Sequence, residues 1–432
     1  MASVLTQSDT TSHHVGVGAQ TEGRGTPESI VFLGTSAHLG GAERVLLDMV
    51  ASLRDADPGC RIVVITSGNG SLIDEVRALG AKAIVLPYPT SLASLGDASV
   101  ERFGSRFALV TRTLLAAPAV MSYLRALRGL LRQLTPDVIH SNGAKMHLLA
   151  AYASRGIAPV VWHLHDYVGS RPFMRRALRA AVSRCAAVVA NSESVALDAR
   201  SVFGRVIPIH TILNAVDLDR FTVNGSVLDL DSYAALAPAG DRIVRVGLVG
   251  TFAKWKGHQL FFTALETLPS DLPLRAYVIG GPLYETQGSQ YSMDELRRSA
   301  ASICAAGRIV FTGHVSDVPA AMRALDIVVH ASTEPEPFGL VIAEAMACGR
   351  AVITSGSGGA LELVEDEQDA LVTRSGDAGQ LGAAIARLVR DAGLRAKLGA
   401  AAQQSASRRF DRRRLAETLA PIYRQAVEAR QP

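Results

Sequence analysis

Short apolar runs and amphipathic stretches alternate along almost the whole chain. Runs rich in Val, Ile and Leu predict strands at 30–35, 61–66, 82–86, 137–140, 159–163, 187–190 and 207–212. Between them, apolar residues recur every three or four positions and predict helices over 41–54, 71–79, 118–134, 144–155, 171–184 and 193–201. The alternation then resumes, with strands near 243–249, 274–280, 308–312, 326–330, 351–354 and 370–373, most of them followed by a helix. Strands joined through helices pair in parallel, because a parallel pair needs a long crossover. The pattern predicts an α/β protein of two doubly wound, Rossmann-like domains that face each other across a cleft.

Three stretches break the rhythm. Residues 1–27 are rich in Ser, Thr, Gly and Gln and lack an apolar core of the signal-peptide kind, so they read as a disordered tail. Residues 87–117, with Pro87, Pro89, Gly96 and Gly104, are longer than an ordinary connection and read as a functional or mobile insertion. Residues 222–241, with Gly225, Pro238 and Gly240, have a weak pattern and read as the interdomain linker. The expected organisation is a tail (1–27), a first doubly wound domain (28–220), a linker (221–241), a second doubly wound domain (242–405) and a C-terminal helix (406–432). The cluster Arg408, Arg409, Arg412, Arg413 and Arg414 follows a helical pattern rather than that of a linker.

Composition adds bounds. A chain of 432 residues with 48% apolar and 19% charged residues can bury two large cores. No apolar run reaches 18 residues, so no spanning helix is expected. Cys60, Cys185, Cys304 and Cys348 lack metal-site spacing and sit in or beside apolar segments, which suggests reduced core thiols and a cytosolic setting. Charge is uneven: residues 1–214 carry 21 Lys and Arg against 15 Asp and Glu, whereas residues 215–432 carry 23 against 25. Arg171, Arg175, Arg176, Arg179 and Arg184 share one short helical stretch, and Arg125, Arg128 and Arg132 mark another. Two readings stay open for them: a solvated helix face, or a surface for anionic lipid or a phosphorylated acceptor, with the protein then on the cytosolic face of a membrane. The aromatic interleaving of a nucleic-acid surface is absent, so no nucleic-acid partner is expected.

The candidate chemistry lies at predicted strand ends, where doubly wound sheets bind ligands. Glu336-Pro337-Phe338-Gly339 runs into an apolar helix that contains Glu344, eight residues on. The turn offers helix-start N–H groups to a phosphate, with one carboxylate outside the helix and the other about two turns into it. Such a site suits a ligand with a charged middle and hydroxyls at both ends, the shape of a nucleotide-sugar. Gly40-Gly41-Ala42-Glu43 follows the first strand and exposes another helix start. Lys256, just before Gly257 in the segment Val249–His258, follows the first strand of the second domain and can neutralise a diphosphate. Strand alternation puts His163 and His165 on one face, next to Asp166. Asn191-Ser192 and Asn214 with Asp217 read as caps and turns. His314 and Val315 offer backbone contacts to a base, and Ser355–Gly359 is either a loop over phosphate or a flexible turn.

Taken together, Gly40-Gly41-Ala42-Glu43, His165-Asp166, Asn191-Ser192-Glu193, Asn214 with Asp217, Lys256-Gly257 and Glu336 through Gly349 resemble a family 4 glycosyltransferase of the GT-B fold, in that family's order over roughly residues 30–425. The resemblance implies retaining transfer of a hexose or N-acetylhexosamine from an NDP-sugar co-substrate, UDP- favoured and GDP- next, with no metal and no other cofactor. The acceptor would be a hydroxyl of a polysaccharide, a lipid-linked sugar or a small molecule. It assigns sugar hydroxyls to Glu336 and ribose to Glu344. Backbone contacts fall to Phe338, Gly339 and Leu340, the leaving phosphate to Lys256, and a place beside the transferred sugar to His165. Gly40 and Gly41 would close over the donor, and the C-terminal helix would cross back to the first domain. The family's usual arginine is replaced by Thr251, which carries no charge, and Lys254 is the nearest substitute in sequence. Two alternatives stand beside this reading: a non-catalytic or altered NDP-sugar-binding protein of the same fold, and an NDP-sugar epimerase of the same architecture.

Overall fold

The computed structural model describes residues 27–93, 106–234, 236–240, 242–282 and 289–429; the expected tail and the middle of the 87–117 insertion lie outside them. Among the described residues thirteen strands form two sheets. The first comprises β1 (Ser29–Leu33), β2 (Arg61–Thr66), β3 (Lys82–Val85), β4 (Val138–Asn142), β5 (Val160–Leu164), β6 (Ala187–Ala190) and β7 (Ile209–Thr211), in the order β3-β2-β1-β4-β5-β6-β7. The second comprises β8 (Val244–Val249), β9 (Leu274–Ile279), β10 (Ile309–Gly313), β11 (Ile327–His330), β12 (Ala351–Ser355) and β13 (Leu371–Thr373), in the order β10-β9-β8-β11-β12-β13. Every pairing is parallel. Helices cover both faces, which is why β1, β4, β5 and β11 are buried along their whole length rather than on alternate residues.

In each sheet the strand order reverses at one point, between β1 and β4 and between β8 and β11. Crevices open outside the carboxyl ends of strands at such points. The expected strands all occur, displaced by a residue or two at their ends.

Two segments differ from expectation, and the linker carries contacts that its sequence does not announce. The helix expected from 118 begins at Arg106 and runs to Leu134, through Pro118. A proline is easily read as a helix start, because its missing N–H costs nothing there. The linker segment is tied down: Asp231 is buried and accepts hydrogen bonds from Arg275 Nη1 (2.8 Å), Tyr277 OH (2.8 Å) and the Ala239 N–H (2.7 Å). The arginine cluster is a break between the helices Ala392–Arg409 and Arg414–Glu428 rather than a helix interior. There Arg412 pairs with Asp217 (2.6 Å), and Arg409 and Arg414 donate to the carbonyls of Leu363 and Asn214 (2.8 and 2.7 Å).

Beyond this break the helix Arg414–Glu428 returns to the first domain and packs on the helix Gly41–Ala56. Leu415, Leu419, Ile422 and Tyr423 join Val45, Met49 and Val50 in one core. Each such side chain contributes about 2 kcal/mol on burial, enough to hold the crossing helix in place. Cys60, Cys185 and Cys348 are buried, and Cys304 is partly buried against the edge of the second-domain core. Among the described residues no helix is long and apolar enough to cross a membrane.

Candidate active site

The second domain supplies a charged pair at the helix start. Lys256 ends a single turn of 3₁₀ helix after β8. Gly257, at φ +78°, lets the chain turn directly into the helix His258–Glu266. A Cβ on Gly257 would lie 1.8 Å from the Ala331 carbonyl oxygen, so only glycine lets Lys256 come this close to the end of β11. Lys256 Nζ then donates to Glu336 Oε1 (3.0 Å) and Oε2 (2.8 Å), and sits 4.0 Å from the Trp255 ring centroid.

Glu336 is 6% exposed and has two more partners, His330 Nε2 (3.0 Å) and Ser332 Oγ (2.9 Å), both donating to Oε2. The other nitrogen of His330 lies 2.9 Å from Thr354 Oγ1. Burial works to raise the Glu336 pKa, but the Lys256 charge and the His330 contact outweigh it and hold the carboxyl well below its ordinary value. Only Oε1 keeps room for a further donor.

Gly339, at φ +100°, is the N-cap of the helix Leu340–Ala347. Phe338 is buried against Phe410, so it offers only backbone to a ligand. Glu344 is the fifth residue of this helix, just over one turn in rather than two. It is half-buried and faces Arg44 and Arg220. Burial raises its pKa against the pull of those two arginines. Arg220 also lines a cavity of about 410 Å³ with Ser316, Asp317, Pro319 and Arg323, directly after His314 and Val315. The His314 side chain is exposed and Val315 is core, which leaves backbone as their shared offering.

The first domain meets this site edge on. A Cβ on Gly41 would lie 3.5 Å from Leu340 Cδ1, so the two helix starts, each after the first or fourth strand of its sheet, touch across the cleft. Glu43 accepts a hydrogen bond from the Gly40 N–H (3.2 Å) and so caps its own helix. His165 Nε2 donates to Asn142 Oδ1 (2.8 Å), which leaves Nδ1 as the free lone pair. Burial lowers the His165 pKa to about 4. Tyr167 donates to the Glu336 carbonyl oxygen (3.2 Å) and lies 2.9 Å from Ser194 Oγ. The Glu362 carboxylate accepts from the Glu193 and Ser194 N–H groups (2.7 Å each), so a second-domain carboxylate caps a first-domain helix. The small-residue loop Ser355–Gly359 is held in this seam, with the Gly359 N–H donating to the Glu336 carbonyl (2.7 Å).

Thr251 brings no charge, and Lys254 is exposed, with its ammonium 5.7 Å from the Tyr291 ring and close to Glu295. Lys254 therefore does not join the Lys256–Glu336 pair.

A model described as Glycosyltransferase Family 4 matches residues 39–220, and one described as Glycosyl transferases group 1 matches residues 240–405. The chain belongs to glycosyltransferase family 4. It is 29% identical over 260 residues to a D-inositol 3-phosphate glycosyltransferase of Xylanimonas cellulosilytica, which covers 56% of this chain and 59% of that protein. It thus spans about three fifths of that relative's length. It is 29% identical over 353 residues, 78% of this chain and 88% of the relative, to a GDP-mannose-dependent alpha-(1-6)-phosphatidylinositol monomannoside mannosyltransferase of Mycolicibacterium smegmatis. The crystal structure of Anabaena Alr3699/HepE with UDP and glucose superposes with a TM-score of 0.73 at 28% identity, over 91% of this chain and 98% of that one. The fold is GT-B.

In this family 4 member, four site residues escape a reading of sequence. His330 and Ser332 hide at the end of an apolar strand run, and Tyr167 in a short loop. Trp255 lies inside a quoted motif but is assigned nothing. A rule that every polar residue at the end of a central strand is a candidate would have found His330.

Proposed function

We propose that this chain transfers a hexose or N-acetylhexosamine from a nucleoside-diphosphate sugar to an acceptor hydroxyl, with retention of anomeric configuration and without a metal. The observation that carries the reading is the buried Lys256–Glu336 pair at the start of the helix Leu340–Ala347, faced by the Gly40-Gly41 turn. A lysine ammonium has three donors. Two point at Glu336 and one is left for a phosphate oxygen of the departing diphosphate, alongside the N–H groups of the helix start. Glu336 Oε1 accepts from a sugar hydroxyl. Ribose hydroxyls lie at Glu344, with the base in the adjoining cavity beyond Arg220. His165 accepts from the transferred sugar through Nδ1.

The state of Glu336 supports a front-face route to retention over a covalent one. Its carboxylate is held by Lys256, His330 and Ser332 and is too poor and too confined a nucleophile to form a glycosyl ester. The acceptor then attacks on the face from which the diphosphate leaves, and a donor phosphate oxygen takes its proton. A UDP-sugar is the favoured donor and a GDP-sugar the next, in keeping with the UDP-bound HepE structure and the GDP-mannose-dependent mycobacterial relative.

A thermal-shift screen over UDP-, GDP- and ADP-sugars finds the donor, because preferential binding raises the melting temperature. Acceptor-dependent NDP release that disappears in Glu336→Ala and Lys256→Ala is the expected result. Saturable donor binding without turnover over a panel of acceptors would instead favour the non-catalytic alternative.

A membrane-facing surface is the second element. Arg175, Arg176 and Arg179 are exposed on the helix Pro172–Ala181, while Leu178 and Ala181 point inward. This arrangement suits anionic lipid headgroups. Co-sedimentation with anionic vesicles should fall when the three arginines are neutralised; unchanged binding rules the surface out.

A further inference from the structure

The first domain buries three histidines and half-buries a fourth, His165, and the transfer chemistry does not use them in full. His147 lies on one face of the first sheet, 2.8 Å from Ser141 Oγ and stacked on Trp162. On the other face, β4 and β5 align His140 with Val161 and Asn142 with His163, so His140, Asn142, His163 and His165 share that side. The crossing helix Arg414–Glu428 packs on both strands. Its Tyr423 is fully buried, with the hydroxyl 2.7 Å from His140 Nδ1. His140 Nε2 lies 3.2 Å from His163 Nδ1, and the His163 ring lies 4.2 Å from the His165 ring, centroid to centroid. A continuous line of contacts thus runs from the C-terminal helix to the histidine at the cleft. Among the described residues no group of His, Cys, Asp and Glu is arranged to hold a metal, so the cluster is not a metal site.

The direction of the hydrogen bonds follows from what each group can donate. Tyr423 has one O–H and no acceptor other than His140. When it donates to Nδ1, His140 carries its proton on Nε2 and donates to His163 Nδ1. His163 then carries its own proton on Nε2, a buried atom without a protein partner. The opposite direction strands the tyrosine proton inside the dry core between helix and sheet, away from any ligand. An unmet buried donor is costly, and the first direction puts it at the carboxyl end of β5, beside His165. Burial keeps these rings neutral: the His140 pKa falls to about 3, and that of His163 well below its ordinary value. Each ring therefore has one defined tautomer.

We propose that Tyr423 is a positioning residue for His165, acting through His140 and His163. The chain fixes the His163 ring, on which His165 packs, and thereby the direction of the His165 lone pair. Docking of the C-terminal helix is in this way coupled to the acceptor-side wall of the site. The catalytic consequence rests on the reading of His165 as a sugar-contacting group; the structural consequence does not.

The test uses the full chain with ¹⁵N-labelled histidine. Tyr423→Phe keeps the ring and removes the hydroxyl. The expected result is a change in the ring ¹⁵N resonances of His140, His163 and His165, with kcat lower by about fivefold to tenfold, the scale of one lost neutral hydrogen bond, and donor KM unchanged within about twofold. His140→Leu should reproduce the loss, whereas His140→Gln, which both accepts and donates, should restore most of it. Ile422→Val, one residue away, trims packing without touching the chain. If it lowers kcat as much as Tyr423→Phe at equal loss of melting temperature, the role is only structural and the proposal falls. Unmoved His163 and His165 resonances in both Tyr423→Phe and His140→Leu also overturn it, even if no donor gives turnover. Moved resonances with wild-type kcat leave the alignment but remove the catalytic role.

Discussion

The Lys256–Glu336 pair can be tested as a unit. Lys256→Met keeps the length of the side chain and removes its charge; Glu336→Gln keeps shape and removes charge. The side chains are 20% and 8% exposed, so each charge depends on the other for compensation. Removing one member of a buried pair costs about 3–5 kcal/mol, mostly because a charge is left behind. Lys256→Met should fall at the low end, about 3 kcal/mol, since His330 and Ser332 still hold the carboxylate. Glu336→Gln should cost about 2 kcal/mol, because the ammonium keeps the Trp255 face and partial access to water. The double variant leaves no orphan charge and should cost about 3 kcal/mol, a coupling of about 2 kcal/mol. Urea unfolding at pH 7.5 measures all four forms, with fluorescence from Trp162 in the first domain and Trp255 beside Lys256 separating the two units. Additivity within about 0.5 kcal/mol, at unchanged m-values, would mean that the two groups do not interact and would refute the geometry. In activity, Lys256→Met should lower kcat by about 10²–10³, the scale of one lost electrostatic stabiliser.

Three further outcomes follow from other parts of the structure. The buried histidines make the fold acid-sensitive: free imidazoles bind protons below about pH 6.5, whereas His140, His165 and His258 are held down to about 3, 4 and 4 when folded, so stability is complete above about 6.5 and drops as pH falls towards 4. Each contributes up to about 1.4 kcal/mol per pH unit in that window, and a urea midpoint that stays level from pH 7 to 5 would contradict their burial. Gly359→Ala puts a Cβ 2.2 Å from the Pro337 carbonyl and 2.8 Å from Ser192 Oγ; it should cost about 1–3 kcal/mol and weaken donor binding, read by melting temperature and by titration calorimetry. Glu362→Ala leaves the Ser192 cap in place but removes the acceptor of the Glu193 and Ser194 N–H groups across the seam; it should lose about 1 kcal/mol while the radius of gyration rises in small-angle scattering, and an unchanged radius would mean that this contact does not hold the domains together.

Much of the fold is legible in sequence because parallel strands buried on both faces are continuous runs of Val, Ile and Leu. The central strands β1, β4, β5 and β11 are the clearest cases, and edge strands such as β7 (Ile209–Thr211) show through the spacing of the alternation instead. Sequence says less where polar groups do structural work or a proline sits inside a helix. Asp231 is buried in the linker and gives no apolar signal. The arginines at 408–414 have helical spacing, but they end a helix because their donors go to carbonyls and carboxylates of distant segments. Pro118 marks a plausible helix start and is in fact interior.

The site divides along the same line. Gly40-Gly41, Lys256 and Glu336 are legible because strand carboxyl ends at the two points of reversal must carry any ligand, and local motifs mark those ends. Sequence does not say which of these groups neutralise one another. Glu336 alone reads as a carboxylate open to sugar hydroxyls. A carboxylate accepts about four hydrogen bonds, and four contacts from Lys256, His330 and Ser332 already reach Glu336. On the proposed reading, the contribution of this residue is therefore mainly to fix the ammonium of Lys256 at the helix start; three of the four contacts crowd Oε2, so Oε1, with one, is the oxygen that can still meet a sugar hydroxyl. Replacing it should disturb the leaving-group contact as much as the hydroxyl contact, so kcat should fall in Glu336→Gln at least as far as donor affinity does. A loss confined to affinity would restore the simpler reading of Glu336 as a hydroxyl clamp.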